Sequence, residues 1–392
     1  MKRRYYGFKI ISLIGLIMPL VLSAQTTEYQ TQAITGVDKP LPVFYEALRD
    51  RMPFILGWKA DLDFPKWKAV ALEKAREIMI PWEDSTPFDM KIIDTVDRGT
   101  YTAQKVVFNI SRDSRVLAYL LVPRGTGPFP AALMLHDHGS KFDIGKEKLV
   151  EPWGDEEKRA SSRVWIDKYY GGRYVGDELA KRGFVVLSFD ALGWGDRSVK
   201  GWSTEAQQAL AANLMNMGVS YAGLIALEDV RAARFLASLP EVDTSRLVAV
   251  GFSMGAFRSW QVAALSPDIK AAVVVNWMAT MQGLMVPGNN QLKGQSAFTM
   301  LHPFIGRYLD YPDVAGLAAP KPMLVYAGEA DTLFPVPSVK QAFEKLQAIW
   351  KAARAPEKLE TRLWATGHIY DQEKQEASFV WLERQFGLVK QK

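Results

Sequence analysis

Short and almost unbroken apolar runs recur through the central and C-terminal parts of the chain. Strands that helices cover on both faces have this pattern, because neither side of such a strand meets water. We therefore predict buried strands of a mostly parallel sheet at 131–135, 184–189, 247–250, 271–275, 323–326 and 359–364.

Stretches with helical spacing separate these runs. Between 220 and 238, Ala222, Ala226 and Ala233 belong to a stripe of small residues that suits close packing on a sheet. A second stretch compatible with a helix covers 254–265. The alternation of strand and helix predicts one α/β domain whose sheet has helices on both faces.

The N-terminal part of the chain has two other patterns. Residues 41–82 are rich in aromatics and repeat apolar positions at helical spacing until Pro81, which predicts a helical extension over 25–90. From 91 to 122 apolar and polar positions alternate, as in antiparallel strands at the edge of a sheet. The α/β domain is accordingly predicted to span 91–392.

One long interval, 277–320, has no clear strand and holds several glycines and aromatic residues. Long loops of this kind in a compact domain usually have a function. We therefore predict a lid-like insertion over a site at the carboxyl end of a strand. The alternative is a structural excursion that packs by itself.

The first residues have the layout of an export signal. Four basic residues precede an apolar run over 10–22, which is too short to span a bilayer comfortably. The small residue Ala24 suits cleavage before Gln25. We predict that 1–24 is a cleaved signal peptide and that the mature protein is periplasmic or extracellular. The alternative is an uncleaved anchor, and no other stretch is long and apolar enough to cross a membrane.

Charge and cysteine content exclude several functions. The formal net charge of +5 favours a polyanionic partner, but four of those charges belong to the predicted signal. Without these four of 48 basic residues, the chain has 44 basic and 43 acidic residues and no basic stripe among aromatics, so we predict no nucleic-acid partner. The absence of cysteine excludes a thiol nucleophile, disulfides and cysteine metal sites.

The sequence Gly251-Phe252-Ser253-Met254-Gly255 has the pattern G-x-S-x-G. The pattern alone is weak, but here it directly follows a buried strand and begins a helix. A turn this tight needs small residues at both glycine positions and raises the serine hydroxyl above the sheet. Ser253 is therefore the candidate nucleophile, and the alternative is a serine that only makes the turn.

A serine nucleophile needs a base for its proton and an acid that orients the base. His368 follows the last predicted strand, and Asp331 follows the strand at 323–326. The chain order serine, aspartate, histidine is that of α/β-hydrolases rather than that of chymotrypsin or subtilisin. We predict these three residues as the catalytic set, with Glu329 as the alternative acid.

The other histidines are less suited to catalysis. His136 and His138 lie two residues apart without a nearby third ligand, which makes a weak metal site. We therefore predict no metal and no cofactor, and we interpret His138 as structural. His302 lies in the insertion and is as consistent with packing as with a substrate contact.

Residues 100–390 resemble the α/β-hydrolase superfamily, and most of all secreted bacterial esterases related to dienelactone hydrolases and acetyl xylan esterases. Besides G-x-S-x-G, the likeness rests on VDTSR at 242–246, DALGWGDR at 190–197 and HDHG at 136–139. The resemblance implies an α/β-hydrolase fold whose oxyanion hole has two backbone N–H groups. One is that of Met254, and the other comes from the turn His138-Gly139-Ser140, near Ser140, with Gly139 as the other residue of the hole. The chain departs from dienelactone hydrolases in its serine, where they usually have cysteine.

Substrate clues are weaker. Trp277 lies near a predicted strand end and could stack on a sugar ring, although tryptophan is also ordinary core material. Arg258 and Lys141 could orient a uronate carboxylate, as in methyl-esterified pectin, or could be charges without a specific partner. With His302, these residues are the candidate substrate contacts.

The sequence as a whole predicts an exported serine esterase that hydrolyses acetyl or methyl esters of plant-type polysaccharides through an acyl-enzyme. The expected partner is a small-molecule or polysaccharide ester, and the oligomeric state is left open. One alternative is a peptidase of the prolyl-oligopeptidase kind, whose propeller-length partner domain does not fit in this chain. The other is a non-catalytic glycan-binding protein, which would not need all three catalytic side chains.

Overall fold

The computed structural model describes residues 46–286, 289 and 297–388. The predicted signal peptide, 1–24, and the first part of the predicted extension lie outside the described residues. Part of the predicted insertion lies outside them as well. These assignments stay predictions.

The described residues form one nine-stranded sheet. Its strands are β1 (Lys91–Asp97), β2 (Tyr101–Ser111), β3 (Ser114–Pro123), β4 (Phe129–Leu135), β5 (Val185–Phe189), β6 (Val242–Phe252), β7 (Ala271–Val275), β8 (Met323–Gly328) and β9 (Leu359–Trp364). Their spatial order is β1-β2-β3-β5-β4-β6-β7-β8-β9. The pairs β1–β2, β2–β3 and β3–β5 are antiparallel. The pairs β5–β4, β4–β6, β6–β7, β7–β8 and β8–β9 are parallel. The predicted fold, a mostly parallel sheet with antiparallel strands at one edge, is confirmed.

Burial follows the sequence patterns from which the strands were predicted. Every residue of β5, β7 and β8 is buried, as expected for apolar runs covered on both faces. In β2, buried residues alternate for the most part with partly exposed ones. The edge strand β1 is almost entirely exposed. The carboxyl ends of the parallel strands meet at one edge of the sheet, where the chain passes into loops.

Helices cover both faces of the sheet. They are α1 (Glu46–Asp50), α2 (Phe64–Met79), α3 (Glu156–Tyr169), α4 (Val175–Lys181), α5 (Thr204–Asn216), α6 (Tyr221–Ala237), α7 (Met254–Leu265), α8 (Met281–Leu284), α9 (Tyr311–Gly316), α10 (Val336–Ala352) and α11 (Gln372–Gln385). The core on one face includes side chains of α2, α6, α7 and α10. The core on the other face includes side chains of α3, α4 and α11. The three-layer arrangement predicted from the alternation of elements is therefore confirmed.

The N-terminal segment differs from a continuous helical stretch over 41–82. Its described residues are helical only in α1 and α2, because Pro53 cannot donate a backbone hydrogen bond and Asp63 caps a new helix start through the Lys66 N–H. Trp67, on α2, is buried in the same core as α6 and α7. The described part of the extension thus packs against the α/β domain.

Among the described residues, no single helix is long and apolar enough to cross a membrane. Helices α5 and α6 meet that length and composition only when taken together, and the chain bends by 87° between them.

Candidate active site

Ser253 lies in a strained turn between β6 and α7. Its backbone has a φ of 56° and a ψ of −126°, a conformation that residues other than glycine seldom adopt. A Cβ on Gly251 would lie 2.1 Å from the Gly255 backbone, and a Cβ on Gly255 would lie 1.9 Å from the Leu135 oxygen. Both positions therefore need glycine, as the motif predicts, and the turn raises the Ser253 side chain at the carboxyl edge of the sheet.

The structure brings Ser253, His368 and Asp331 together in a chain of hydrogen bonds. His368 Nε2 lies 2.9 Å from Ser253 Oγ, and His368 Nδ1 lies 2.7 Å from Asp331 Oδ2. With the proton on Nδ1, the ring donates to the carboxylate, and Nε2 is free to accept the serine proton. Phe252 and Phe334 pack against the imidazole, with ring centroids 4.7 and 6.0 Å from its own. The arrangement can activate a serine for attack on a carbonyl carbon.

The Asp331 carboxylate is buried and held by further donors. Asn276 Nδ2 donates to Asp331 Oδ2 over 2.8 Å, and the Leu333 N–H donates to Oδ1 over 2.9 Å. Asn276 directly follows β7 and has a φ of 55°. Sequence reasoning missed this asparagine, although a polar residue at the carboxyl end of a central strand is the signal that could have found it. The alternative acid, Glu329, is exposed, and its backbone N–H pairs with Trp364.

Two backbone N–H groups beside Ser253 are available to an oxyanion. Met254 begins α7, so its N–H has no acceptor within the helix. The Gly139 N–H has no hydrogen-bond partner among the described residues. The Ser140 N–H, by contrast, donates to His138 Nδ1 over 3.0 Å. The resemblance implies Gly139 and Ser140 for the oxyanion hole. Of these two, only Gly139 has a backbone N–H without a hydrogen bond to a described residue.

The two histidines of this turn have structural partners on both ring nitrogens. His136 Nε2 accepts from the Ala191 N–H over 3.0 Å, and its Nδ1 lies 2.9 Å from the Asp137 oxygen. His138 Nε2 lies 2.9 Å from Gln207 Oε1. Burial lowers the pKa of both rings, that of His138 to about 4, so both are neutral at ordinary pH. Neither ring nitrogen pair is arranged for a metal ion.

A carboxylate cluster near this turn is occupied by a lysine. Glu147, Asp190 and Asp196 bring oxygen atoms within 4.8 Å of one another. Lys146 Nζ lies among them, at 3.0, 2.7 and 2.5 Å respectively. Burial alone would lower the pKa of Lys146, but the three carboxylates outweigh it and hold the pKa well above its ordinary value. The lysine ammonium thus takes the place that a cation would need.

A pocket of about 180 Å³ opens at Ser253. Its wall includes Ser253, His368, Gly139 and an apolar part made by Trp277, Leu284, Met300, Leu333 and Phe334. Three of these apolar residues belong to the predicted insertion. That segment therefore contributes to the wall of the pocket, while other parts of it pack in the core.

The structure corrects two of the four candidate substrate contacts. Arg258 is 2% exposed and makes two hydrogen bonds to Asp229, of 3.0 and 2.7 Å. His302 is buried, lies 3.1 Å from Gln261 Oε1, and has a pKa lowered by burial to about 3. Neither side chain lines the pocket, because each points into the core instead.

The other two candidates lie near the site. Trp277 forms part of the pocket wall. Lys141 lies in an adjoining groove, together with Trp202, and pairs with Asp143 over 3.1 Å. The groove also includes Ser140, which lines the pocket as well, so the two spaces adjoin at this residue.

Replacement of Arg258 by methionine is expected to lower the free energy of unfolding by about 3–5 kcal/mol, because it leaves Asp229 buried without its partner. Urea unfolding followed by circular dichroism measures this loss. The double variant Arg258→Met/Asp229→Leu, which removes both charges, should recover most of it. If stability were unchanged and KM for the ester rose, Arg258 would instead be a substrate contact.

The chain is similar to a known protein family and to known proteins. The model of the abhydrolase family matches residues 43–378. YtaP of Bacillus subtilis (strain 168), which is named as a hydrolase, is 26% identical over 286 residues, covering 73% of this chain and 88% of YtaP.

Two solved structures have the same fold. A Bacteroides fragilis protein described as an acetyl xylan esterase has a TM-score of 0.66 at 17% identity, covering 82% of this chain and 81% of its own. A glucuronoyl esterase from Solibacter usitatus has a TM-score of 0.61 at 13% identity, covering 86% and 98%. Because the family model matches most of its length, the chain belongs to the abhydrolase family.

Proposed function

We propose that this hydrolase is a serine esterase in which Ser253 is the nucleophile, His368 the general base and Asp331 the acid that orients it. The observation that carries the proposal is the pair of hydrogen bonds, 2.9 and 2.7 Å long, that links the three side chains beside an open pocket. A glycan-binding protein would have no use for this chain of proton donors and acceptors.

The reaction follows from the geometry. Ser253 Oγ attacks the ester carbonyl carbon while His368 Nε2 takes its proton, and the carbonyl oxygen becomes an oxyanion. The N–H groups of Gly139 and Met254 stabilise that charge, and each such donor is worth about 10²–10³ in rate. The imidazolium then protonates the leaving alcohol, and water repeats the cycle on the acyl-enzyme to release the acid.

The pocket favours a small, uncharged acyl group. Its volume of about 180 Å³ is close to that of an apolar cavity of about 150 Å³ that holds benzene. Its described wall contains no lysine or arginine. An acetyl group fits such a space, whereas a polysaccharide would have to lie outside it, along the adjoining groove.

Two arginines near the site are engaged elsewhere, and the two lysines of the adjoining groove, Lys141 and Lys200, do not belong to the pocket wall. Arg197 makes two hydrogen bonds to Glu228, of 2.6 and 2.7 Å, and Arg173 pairs with Glu376 over 2.7 Å. We therefore propose acetyl esters of a polysaccharide as the first substrate class and methyl esters of a polyuronide as the second. The acetyl xylan esterase and glucuronoyl esterase named above support an ester of a carbohydrate.

The purified protein should release acetate from acetylated xylan faster than methanol from methyl-esterified pectin. The two products are assayed separately, and Ser253→Ala serves as the control for release that the site does not catalyse. Faster release of methanol would reverse the order of the two substrate classes. Release of neither product, while small esters are hydrolysed, would exclude both.

We further propose that the mature protein acts outside the cytoplasm, on the basis of the basic residues and apolar run at the start of the chain. Cell fractionation with N-terminal sequencing tests this. A mature N-terminus at Gln25 is expected, and an intact N-terminus on a cytoplasmic protein would contradict it.

A further inference from the structure

A fully buried lysine lies behind the turn that carries Gly139. Lys148 has no exposed surface, and its Nζ donates to the backbone oxygens of Asp137 and His138 over 2.9 and 3.0 Å. The same atom lies 3.5 Å from Asp137 Oδ1. An ammonium has three donors, and these three oxygen atoms all belong to one loop segment, Asp137 and His138. Lysine side chains are seldom fully buried, so the burial of Lys148 needs an explanation.

The contact with His138 bears directly on the Gly139 N–H. A trans peptide unit is planar, so the carbonyl of His138 and the N–H of Gly139 point in opposite directions. The His138 oxygen also accepts from Trp194 Nε1 over 3.2 Å, and both donors are fully buried. Since the oxygen is held toward the interior, the Gly139 N–H is directed to the other side, toward the pocket that Gly139 lines.

The rest of the turn is fixed by the same cluster. Asp137 Oδ2 accepts from Tyr170 Oη over 2.8 Å and from Trp165 Nε1 over 3.1 Å. The Trp165 ring lies over the turn so closely that a Cβ on Gly139 would be 2.2 Å from it. Lys148 Nζ in turn lies 5.0 Å from the centroid of that ring. The turn therefore has little freedom to rotate its peptide planes.

The segment that carries Lys148 is itself anchored. Lys146, two residues earlier, donates from its backbone N–H to Asp190 Oδ1 and from its Nζ to Asp190 Oδ2, each over 2.7 Å. The Gly145 N–H donates to Glu147 Oε2 over 3.1 Å. These bonds hold the short helical turn Lys146–Lys148 in place and so fix the position of the Lys148 backbone.

We infer that Lys148 is a positioning residue for the oxyanion hole, which it serves by holding the His138 carbonyl so that the Gly139 N–H points at the developing negative charge. The inference rests on the proposed function, since it presupposes an ester carbonyl at Ser253. It assigns a role in the reaction to a residue that touches neither substrate nor any of the three catalytic side chains.

The test compares an ester with its thiono counterpart, p-nitrophenyl acetate with p-nitrophenyl thionoacetate. Both release p-nitrophenolate after attack by the serine, but sulfur accepts hydrogen bonds poorly, so the oxyanion hole accelerates mainly the oxygen ester. In Lys148→Met we expect kcat/KM for the oxygen ester to fall about 10–100-fold, in the range for a misplaced group near the reacting centre. The rate ratio of oxygen ester to thiono ester should fall about tenfold or more.

Lys321 offers a matched control. Its Nζ also donates to two backbone oxygens, those of Ala263 and Ser266, over 2.7 and 2.8 Å, but at the far end of α7 from Ser253. Lys321→Met removes the same kind of anchor and should leave the rate ratio within about twofold of the unmodified protein, because the loss of a structural support slows both esters alike. A Lys148→Met ratio equal to that of Lys321→Met would overturn the inference.

A second variant covers the case in which Lys148→Met does not fold. Trp194→Phe keeps an aromatic ring but removes the other donor to the His138 oxygen, and it should lower the rate ratio in the same direction. An unchanged ratio in this variant would then count against the inference. Failure of the proposed function is distinguishable, because it would show as hydrolysis in the unmodified protein that does not depend on Ser253.

Discussion

Replacement of Ser253 by alanine is expected to lower kcat for p-nitrophenyl acetate by about 10⁴–10⁶-fold. Alanine retains the strained turn but has no oxygen to attack the carbonyl, so neither His368 nor the oxyanion donors have a covalent intermediate to act on. The remaining rate should approach that of water assisted only by binding and the oxyanion donors. Steady-state release of p-nitrophenolate measures the loss.

Ser259, on the helix that follows Ser253, provides a control with the same substitution. Its hydroxyl is buried and donates to the Gly255 oxygen over 2.9 Å, away from the pocket wall. Ser259→Ala should keep kcat within about twofold, since only one hydrogen bond within the helix is lost. Equal activity of Ser253→Ala and Ser259→Ala would remove Ser253 from the mechanism.

Replacement of Asp331 by asparagine is expected to lower kcat about 10⁴-fold with little change in KM. The amide can donate to His368 Nδ1, which favours the tautomer with its proton on Nε2. That tautomer cannot accept the serine proton. The buried site keeps its shape, so binding of the ester changes little. Kinetics over a range of ester concentrations separate kcat from KM.

Glu329 is the matched control for this prediction. Glu329→Gln makes the same carboxylate-to-amide change two residues earlier, on an exposed side chain. We expect it to leave kcat and KM unchanged. If Glu329→Gln were the variant that lost activity while Asp331→Asn kept it, Glu329 would be the acid on His368.

The proposed catalytic set could be predicted from sequence because each member lies within four residues of the carboxyl end of a strand. Ser253 directly follows β6, Asp331 lies three residues after β8 and His368 lies four residues after β9. Apolar runs predict parallel strands locally, and the carboxyl ends of parallel strands gather at one edge. Because Ser253, Asp331 and His368 each lie just after such an end, the sheet topology alone predicts that they are close together. No side-chain contact has to be known. Asn276 directly follows β7 at the same edge and could have been found by the same rule.

Arg258 shows where this reasoning fails. It lies one turn into α7, near the nucleophile in sequence, and a charge there favours a functional interpretation. Its partner Asp229 lies on α6, and the two charges meet only when both helices pack on the same face of the sheet. Nothing in the local sequence of either helix distinguishes a buried ion pair from two exposed charges.

Lys148 was missed for a related reason. It stands in the charged run Gly145–Lys148, which has the composition of an exposed loop. The run is buried because both of its lysines find partners elsewhere in the fold. Lys146 donates to Asp190, more than forty residues away, and Lys148 donates to the backbone oxygens of Asp137 and His138. Tertiary contacts of this kind leave no periodic signal in the sequence.

The central claim is that Ser253 forms the covalent intermediate, and a mechanism-based label tests it most directly. A p-nitrophenyl phosphonate ester transfers its phosphonyl group to an activated serine, releases p-nitrophenolate and leaves a stable adduct. Trypsin cuts after Arg246 and Arg258, and the peptide between them, 247–258, contains Ser253 as its only hydroxyl-bearing residue. We expect one label per chain on this peptide by mass spectrometry, and none there in Ser253→Ala. A label on another peptide, or an active esterase that takes up no label, would contradict the claim.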